Sequence, residues 1–221
     1  APDLPLGDSR SAPPPARYAS GAQPIGYGEL FMFLFYNIGW LAESKRPHHN
    51  KENLADEICE MVIAKGADAI GICEIFNLRD TGLAEEREII MSHVLSKLNG
   101  SAQQPVWSGK TDGHYMFLWN TEKLHLKMYK YISCEVEDAP WRMAQYFQFQ
   151  HAEKQTGPPL HVCHCHSPSS DNQKETPTQE QIIKKLTDPR RVTIFKALWK
   201  QVETNNPWGA AEPVAVFGGD Y

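Results

Sequence analysis

The chain has 221 residues, of which 41% are hydrophobic and 22% are charged, and its net charge at pH 7 is −5. This composition is ordinary for a globular domain and excludes binding to nucleic acid through overall positive charge. A protein with this charge needs a local positive patch or a bound cation to hold a phosphate group. No apolar run reaches the roughly 18 residues that a membrane-spanning helix needs.

The first 28 residues differ in composition from the rest of the chain. Prolines recur through residues 1–28, with glycine, serine and alanine between them. This pattern is typical of an extended tail that lies outside a core. Residues 29–221 then form the predicted folded domain. Its five cysteines are odd in number, and three of them lie in apolar segments, so we do not expect a disulfide framework.

The first part of the domain alternates predicted strands and helices. Apolar runs predict buried strands at residues 29–40 and 68–75, and helical spacing predicts helices at residues 51–65 and 83–99. Asn37 interrupts the first strand, either to cap the next loop or to aim an amide into a site. Glu74 ends the second strand. A buried, unpaired carboxylate is costly, and either a metal ion or a salt bridge to an arginine would relieve that cost.

The middle of the domain is rich in β-like segments. They cover residues 105–108, 114–120, 124–134 and 141–150. The last three alternate apolar and polar residues, which predicts antiparallel strands with one covered face. Arg142 opens the last segment.

The sequence LHVCHCHSPSSD, at residues 160–171, combines a strand with a sharp stop. In a strand, alternate side chains point to opposite faces. One face therefore carries Leu160, Val162, His164 and His166, and the other carries His161, Cys163 and Cys165. The Ser-Pro-Ser-Ser cluster ends the strand at His166. A histidine held at a strand end yet reachable suits a general acid or an anion ligand, although a merely part-exposed histidine would have the same pattern.

The last part of the chain contains a helix and a strand. Helical spacing predicts a helix over residues 179–204 that Pro189 breaks or kinks. A buried strand follows at residues 213–217. The Gly-Gly pair after it allows close approach of the backbone, and Asp220 is again a carboxylate at a strand end.

The order of elements predicts an α+β fold in which two mixed sheets pack face to face with helices outside, a four-layer α/β/β/α sandwich. Polar residues end four separate buried strands, namely Asn37, Glu74, His166 and Asp220. We therefore expect these four residues to share one rim of the sandwich.

These motifs resemble the endonuclease/exonuclease/phosphatase superfamily, which includes deoxyribonuclease I, AP endonucleases and neutral sphingomyelinases. The resemblance covers residues 29–221 and rests on six segments: FYNIGW around Asn37, IGICEI around Glu74, HYMFLWNTEKLHLKMYKY for the paired central strands, WRMAQYFQF with Arg142, HCHSPSSD with His166, and FGGDY with Asp220. It implies hydrolysis of a phosphate ester.

The resemblance also implies a role for each residue. Glu74 would hold a divalent cation, Mg²⁺ or else Mn²⁺ or Ca²⁺, against a phosphate oxygen. Asn37 would orient the metal ligands or the attacking water, and Asp220 would position or activate that water. His166 and Arg142 would bind the phosphoryl oxygens. Nucleic acid is among the substrates used in the superfamily, so the substrate class stays open.

The sequence departs from the family pattern after Tyr221, where family members continue with an Asn, further strands and a late Asp-His pair. Three interpretations follow: a fragment of a longer enzyme, a fold whose sheet a partner chain completes, or a non-catalytic structural or interaction subunit. We expect a domain that is incomplete at its C-terminus and weak or inactive as an isolated enzyme.

Overall fold

The computed structural model describes residues 31–37, 51–75, 84–100, 106–134, 143–153, 158–166, 179–180, 183, 187–206 and 213–220. The predicted tail at residues 1–28 lies outside the described residues, and so does Arg142. No helix in the described ranges is long and apolar enough to cross a membrane.

The described chain contains eight strands and three helices with defined bounds, and residues 179, 180 and 183 are also helical. The elements with defined bounds are β1 (Phe33–Asn37), α1 (Lys51–Lys65), β2 (Ala69–Cys73), α2 (Ala84–Asn99), β3 (Trp107–Asp112), β4 (Tyr115–Asn120), β5 (Leu124–Ser133), β6 (Met143–His151), β7 (Leu160–His166), α3 (Pro189–Thr204) and β8 (Val214–Asp220).

The strands form two sheets of four. The order in the first sheet is β1-β2-β4-β3, and in the second it is β5-β6-β7-β8. In the first sheet β1 and β2 are parallel, and in the second β7 and β8 are parallel, while the other neighbours are antiparallel. Both sheets are therefore mixed, as predicted.

Three apolar clusters show how the layers pack. The cluster between the sheets joins residues of both, among them Phe117, Phe147, Phe149 and Val162. A second cluster packs α1 and α2 on the outer face of the first sheet, and a third packs α3 on the outer face of the second. Each fully buried aromatic or aliphatic side chain contributes about 1.5–3 kcal/mol by leaving water. The predicted α/β/β/α sandwich is confirmed.

The prediction of one covered face was wrong for two of the antiparallel strands. Residues 115–119 of β4 and residues 144–149 of β6 are buried at every position, so neither face meets water. The reason is that both strands lie in the interior of their sheets, between a helical layer and the opposite sheet. The predicted alternation holds only for the first five residues of β5 (residues 124–128), in a strand that lies at the edge of the described sheet.

The boundaries of β3 and β8 also differ from the prediction. β3 continues to Asp112, and a turn at Gly113, where φ is 56°, leads into β4. β8 continues through Gly218 and Gly219 to Asp220. A Cβ atom at Gly218 would collide with the Phe35 ring, and one at Gly219 would collide with the Cys165 carbonyl oxygen. The two glycines therefore bring β8 close to its neighbours at the end of the strand.

The predicted break at Pro189 is confirmed. Pro189 occupies the first turn of α3, and Asp188 caps that turn by accepting a hydrogen bond of 2.9 Å from the Arg190 backbone N–H. Proline suits this position because its missing N–H would have no partner inside the helix.

Candidate functional site

In each sheet, two neighbouring parallel strands end side by side. In the first sheet Asn37, the last residue of β1, lies opposite Cys73, which directly precedes Glu74. In the second sheet His166, the last residue of β7, lies opposite Asp220, the last residue of β8. Parallel strands deliver their carboxyl ends to one edge, so each sheet contributes two predicted site residues to its own rim.

A contact between side chains joins the two rims. The His166 Nε2 lies 2.8 Å from the Glu74 Oε1, and both side chains are largely buried, with 10% and 18% of their surfaces exposed. This contact brings an imidazole from the second sheet against a carboxylate from the first. The backbone positions of Asn37 and Asp220 flank it. The structure thus brings together the strand ends that carry these four residues, while Arg142 lies outside the described residues.

Glu74 adopts an unusual backbone conformation. Its φ is 57°, in the left-handed region that residues with a side chain rarely adopt, at a cost of about 1–2 kcal/mol. The next residue is anchored, because the Ile75 N–H donates a 3.3 Å hydrogen bond to the His114 carbonyl oxygen. The fold therefore sustains local strain at the residue that faces His166.

Two residues of the site were missed from the sequence, His114 and Tyr115. The His114 ring is almost fully buried and lies edge-on to the His166 ring, with 5.7 Å between the centroids. It also lies 4.0 Å from the Tyr115 ring, centroid to centroid. The signal available in the sequence was a His-Tyr pair directly before an apolar run, and that pair looks like the start of any buried strand.

Tyr115 links the ends of two strands in the opposite sheet. Its hydroxyl accepts a 2.9 Å hydrogen bond from the His166 backbone N–H and donates a 2.8 Å hydrogen bond to the Met143 carbonyl oxygen. The side chain itself is completely buried. Met143 begins β6, so one hydroxyl group contacts the site end of β6 and the site end of β7.

A second histidine of β7, His164, lies behind the rim between the two sheets. Its Nδ1 is 3.0 Å from the Gln145 Oε1, and its ring contacts the rings of Phe35, Tyr115 and Phe117. Complete burial, with a smaller contribution from His166, lowers the pKa of His164 to about 3. His164 is therefore a neutral part of the core that supports the rim.

The described donors at the rim fit a hard cation that keeps most of its water ligands. They are the Glu74 carboxylate and, one strand away, the Asn37 amide, and Mg²⁺ commonly binds proteins through only one or two carboxylates. No group of three or more His, Cys, Asp and Glu side chains within the described ranges is arranged to hold a metal on its own. The donor set is thus too small for a closed structural metal site and compatible with an open one.

The arrangement has the parts of a site that handles an anion. An imidazole can donate a hydrogen bond or a proton, a neighbouring carboxylate can orient that imidazole or hold a cation, and both lie at an edge that solvent reaches. The aromatic core beneath the rim, with Phe117 and Phe147 stacked at 4.4 Å, fixes the strands that carry these groups.

No model of a protein family matches this sequence, and no curated protein sequence matches it either. Solved structures do match. One is TDP2 from D. rerio complexed with a single-strand DNA product, with a TM-score of 0.51 and 13% identity over 86% of this chain and 60% of that chain. Another is an endonuclease/exonuclease/phosphatase from Bacteroides vulgatus, with a TM-score of 0.52 and 15% identity over 85% of this chain and 64% of that chain.

A third is the mannosyl-6-phosphatase Bt3783 of Bacteroides thetaiotaomicron VPI-5482, with a TM-score of 0.53 and 13% identity over 86% of this chain and 65% of that chain. The chain therefore spans less than two thirds of the length of each of these structures. The two four-stranded sheets, their helical layers and this similarity show that the chain has the fold of the endonuclease/exonuclease/phosphatase superfamily.

Proposed function

We propose that this chain is a metal-dependent phosphoesterase whose reaction centre is the rim formed by Glu74 and His166. The observation that carries the proposal is the 2.8 Å contact between these two side chains, which come from different sheets and from separate carboxyl strand ends. A carboxylate and an imidazole at such an edge can supply the acid–base and electrostatic catalysis that speeds hydrolysis of a phosphate ester.

Each residue has a proposed role. His166 donates a hydrogen bond to a phosphoryl oxygen, and Glu74 holds a divalent cation and fixes the imidazole. Asn37 orients the cation's water ligands, and Asp220 positions the attacking water. Arg142, which directly precedes β6, adds positive charge at the phosphate group. A cation held here would supply charge neutralisation on a phosphate oxygen, with Mg²⁺ favoured and Mn²⁺ or Ca²⁺ as alternatives.

The proposed substrate is a phosphate ester, with nucleic acid as one class. The matched structures include a TDP2 complex with a single-strand DNA product and a mannosyl-6-phosphatase, so the fold supports chemistry on different alcohols. The net charge of −5 disfavours general attraction to DNA, and nucleic acid would then bind through local contacts at the rim. Because the chain spans 60% and 65% of those two structures, we propose weak turnover by the isolated 221-residue chain.

The test is hydrolysis of bis-p-nitrophenyl phosphate by the full chain, with Mg²⁺ or Mn²⁺ and with a chelator. We expect slow turnover that needs the cation and that falls about 100-fold, or to background, in Glu74→Gln and His166→Asn. Plasmid DNA is the second substrate. Cleavage of plasmid at a comparable rate would assign nucleic acid, and hydrolysis of the small ester alone would assign another class.

Two matched variants control for the chemical change. Glu203→Gln removes a charge from an exposed position on α3, and His125→Asn alters an exposed histidine near the opposite end of the second sheet. Both should keep the turnover of the parent chain. Turnover that persists in a chelator, or that survives in Glu74→Gln and His166→Asn, would refute the proposed reaction centre.

An exposed aromatic surface favours a second candidate, a non-catalytic subunit whose sheet a partner chain completes. Phe195 is 48% exposed and lies 4.7 Å from Phe217 and 6.3 Å from Trp199, centroid to centroid. The surface borders β8, which is the last strand of its sheet in the described part of the chain. Sedimentation velocity discriminates the candidates: self-association or complex formation that Phe195→Ser abolishes would support the subunit, and a monomer in both would oppose it.

A further inference from the structure

We propose that the Tyr115 hydroxyl is a wedge between β6 and β7 that positions His166 opposite Glu74. This inference rests on the proposed function, because it assigns a positioning residue to the same rim. It is carried by the register of the two strands, by the two hydrogen bonds of the hydroxyl, and by the complete burial of the Tyr115 side chain.

The ladder between β6 and β7 stops one pair short of the ends of the strands. The last paired residues are Ala144 and Cys165, and the next pair in the same register would be Met143 with His166. Both of these residues belong to their strands, since β6 begins at Met143 and β7 ends at His166. The ladder therefore has one pair fewer than the described strands could form.

Two of the groups that a further pair would join bind the hydroxyl. The His166 N–H donates to the Tyr115 oxygen at 2.9 Å, and the Tyr115 hydroxyl donates to the Met143 carbonyl oxygen at 2.8 Å. One oxygen atom thus lies between a backbone donor and a backbone acceptor of neighbouring strands. An inserted hydroxyl keeps both groups satisfied, and it holds them farther apart than a direct N–H···O bond of about 2.9 Å would.

Tyr115 can act as a wedge because it comes from the other sheet. It belongs to β4, beside β2, and β2 leads directly into Glu74. Its ring is held on one side by His114 at 4.0 Å and on another by His164 at 5.1 Å, centroid to centroid. The pair of strands β2 and β4, which positions Glu74, thereby also determines how far the end of β7 lies from β6. Tyr115 acts through His166 and is a positioning residue.

The variant Tyr115→Phe removes the hydroxyl and keeps the ring. With the wedge gone, the His166 N–H can bond directly to the Met143 carbonyl, which moves His166 toward β6 and away from Glu74. We expect kcat for bis-p-nitrophenyl phosphate to fall between about 10-fold and 100-fold, because small displacements of a reacting group have effects of this size. KM should stay within about twofold, since the groups that bind the substrate remain present.

Tyr146→Phe is the matched control. Tyr146 is also completely buried, and its hydroxyl lies 2.8 Å from the His161 Nδ1, on the face of the second sheet that packs against α3. This variant loses a buried hydroxyl of the same type without touching the rim, so its kcat should match the parent chain. A kcat loss of equal size in both variants, or an unchanged kcat in Tyr115→Phe, would overturn the positioning role.

Two structural measurements keep the inference separate from the proposed function. In the parent chain, NMR should show a nuclear Overhauser effect between the Tyr115 hydroxyl proton and the His166 amide proton, and this requires neither turnover nor a variant. A crystal structure of Tyr115→Phe should show the His166 Nε2 displaced from the Glu74 Oε1 beyond the 2.8 Å of the parent chain. If the parent chain hydrolyses nothing, the proposed function fails, and these two measurements still decide the inference. Absence of the Overhauser effect, or an unmoved pair, would refute it.

Discussion

His164 and His166 stand two residues apart on the same face of β7, yet they meet different surroundings. His164 is completely buried among aromatic rings and contacts a neutral amide, and burial lowers its pKa to about 3. His166 reaches the rim and contacts the Glu74 carboxylate. One step of 6–7 Å along a strand separates an imidazole that serves packing from an imidazole that is placed for chemistry. Residue type and strand face do not distinguish them, whereas depth and partner do.

The histidine on the opposite face of β7, His161, is an interior residue like His164. His161 is completely buried, its Nδ1 lies 2.8 Å from the Tyr146 hydroxyl, and burial lowers its pKa. Cys163 and Cys165 on the same face pack under α3 as buried, reduced thiols. Of the three histidines in β7, His166 is therefore the one whose side chain contacts a carboxylate. Substitutions at His164 and His166 test this difference.

The largest expected effect on stability comes from His164→Ala. The change leaves a cavity among Phe35, Tyr115 and Phe117 and removes the partner of the Gln145 amide oxygen, so the free energy of unfolding should fall by about 3 kcal/mol. His166→Ala at the rim removes the imidazole beside the largely buried Glu74 carboxylate and should cost less, about 1–2 kcal/mol. Urea denaturation of both variants measures the difference. Equal losses would contradict the division between an interior histidine and a rim histidine.

The next effect concerns acid stability. The folded state holds His164 with a pKa of about 3, against an ordinary value of 6.5, so the unfolded chain binds the proton more tightly. Above pH 6.5 His164 is mainly neutral in both the folded and the unfolded chain. As the pH falls from 6.5 toward 3, the unfolded chain takes up the proton and the free energy of unfolding decreases, by about 1.4 kcal/mol for each pH unit at full slope. Between pH 6.5 and pH 5 this amounts to about 2 kcal/mol.

The variant His164→Gln measures that contribution. Glutamine does not titrate. Between pH 6.5 and pH 5, the slope of the free energy of unfolding against pH should therefore correspond to about one proton fewer taken up on unfolding than in the parent chain. A slope due to His161, whose pKa burial also lowers, should remain. The experiment is urea denaturation at three pH values. An unchanged slope in His164→Gln would mean that His164 is already protonated in the folded chain or that another group controls the acid limb.

Most of the fold could be predicted because its signals are local. Apolar runs and helical spacing gave α1 at its observed bounds and the core of every strand except β3, of which only the first two residues were predicted, and Pro189 marked the start of α3. The four polar strand ends predicted a shared rim because parallel strands must deliver their carboxyl ends to one edge. The family roles of Asn37, Glu74, His166, Asp220 and Arg142 remain predictions, since they concern chemistry and not placement.

The features that could not be predicted depend on contacts between the sheets. The burial of both faces of β4 and β6 follows from their interior places in the sheet order, which the sequence pattern of a single strand does not contain. The direct partner of Glu74 comes from 92 positions later in the chain, so no local pattern specifies it. His114 and Tyr115 were missed for the same reason: their contacts with His166 span 52 and 51 positions.

The smallest expected effect concerns α3, which covers the face of β7 that carries His161 and does not cover the rim. Asp188→Ala removes the oxygen that caps the Arg190 N–H, and loss of such a cap costs about 1 kcal/mol. Asp188→Asn is the matched comparison: its amide oxygen can still cap the helix, and it loses only the ion pair of 2.7 Å with Arg190, so its loss of stability should be smaller than that of Asp188→Ala. Thermal unfolding should therefore separate Asp188→Ala from Asp188→Asn and the parent chain, whereas turnover at 25 °C should be equal in all three. A turnover that fell with helix stability would mean that α3 supports the rim as well, and that the two faces of β7 are coupled through the strand.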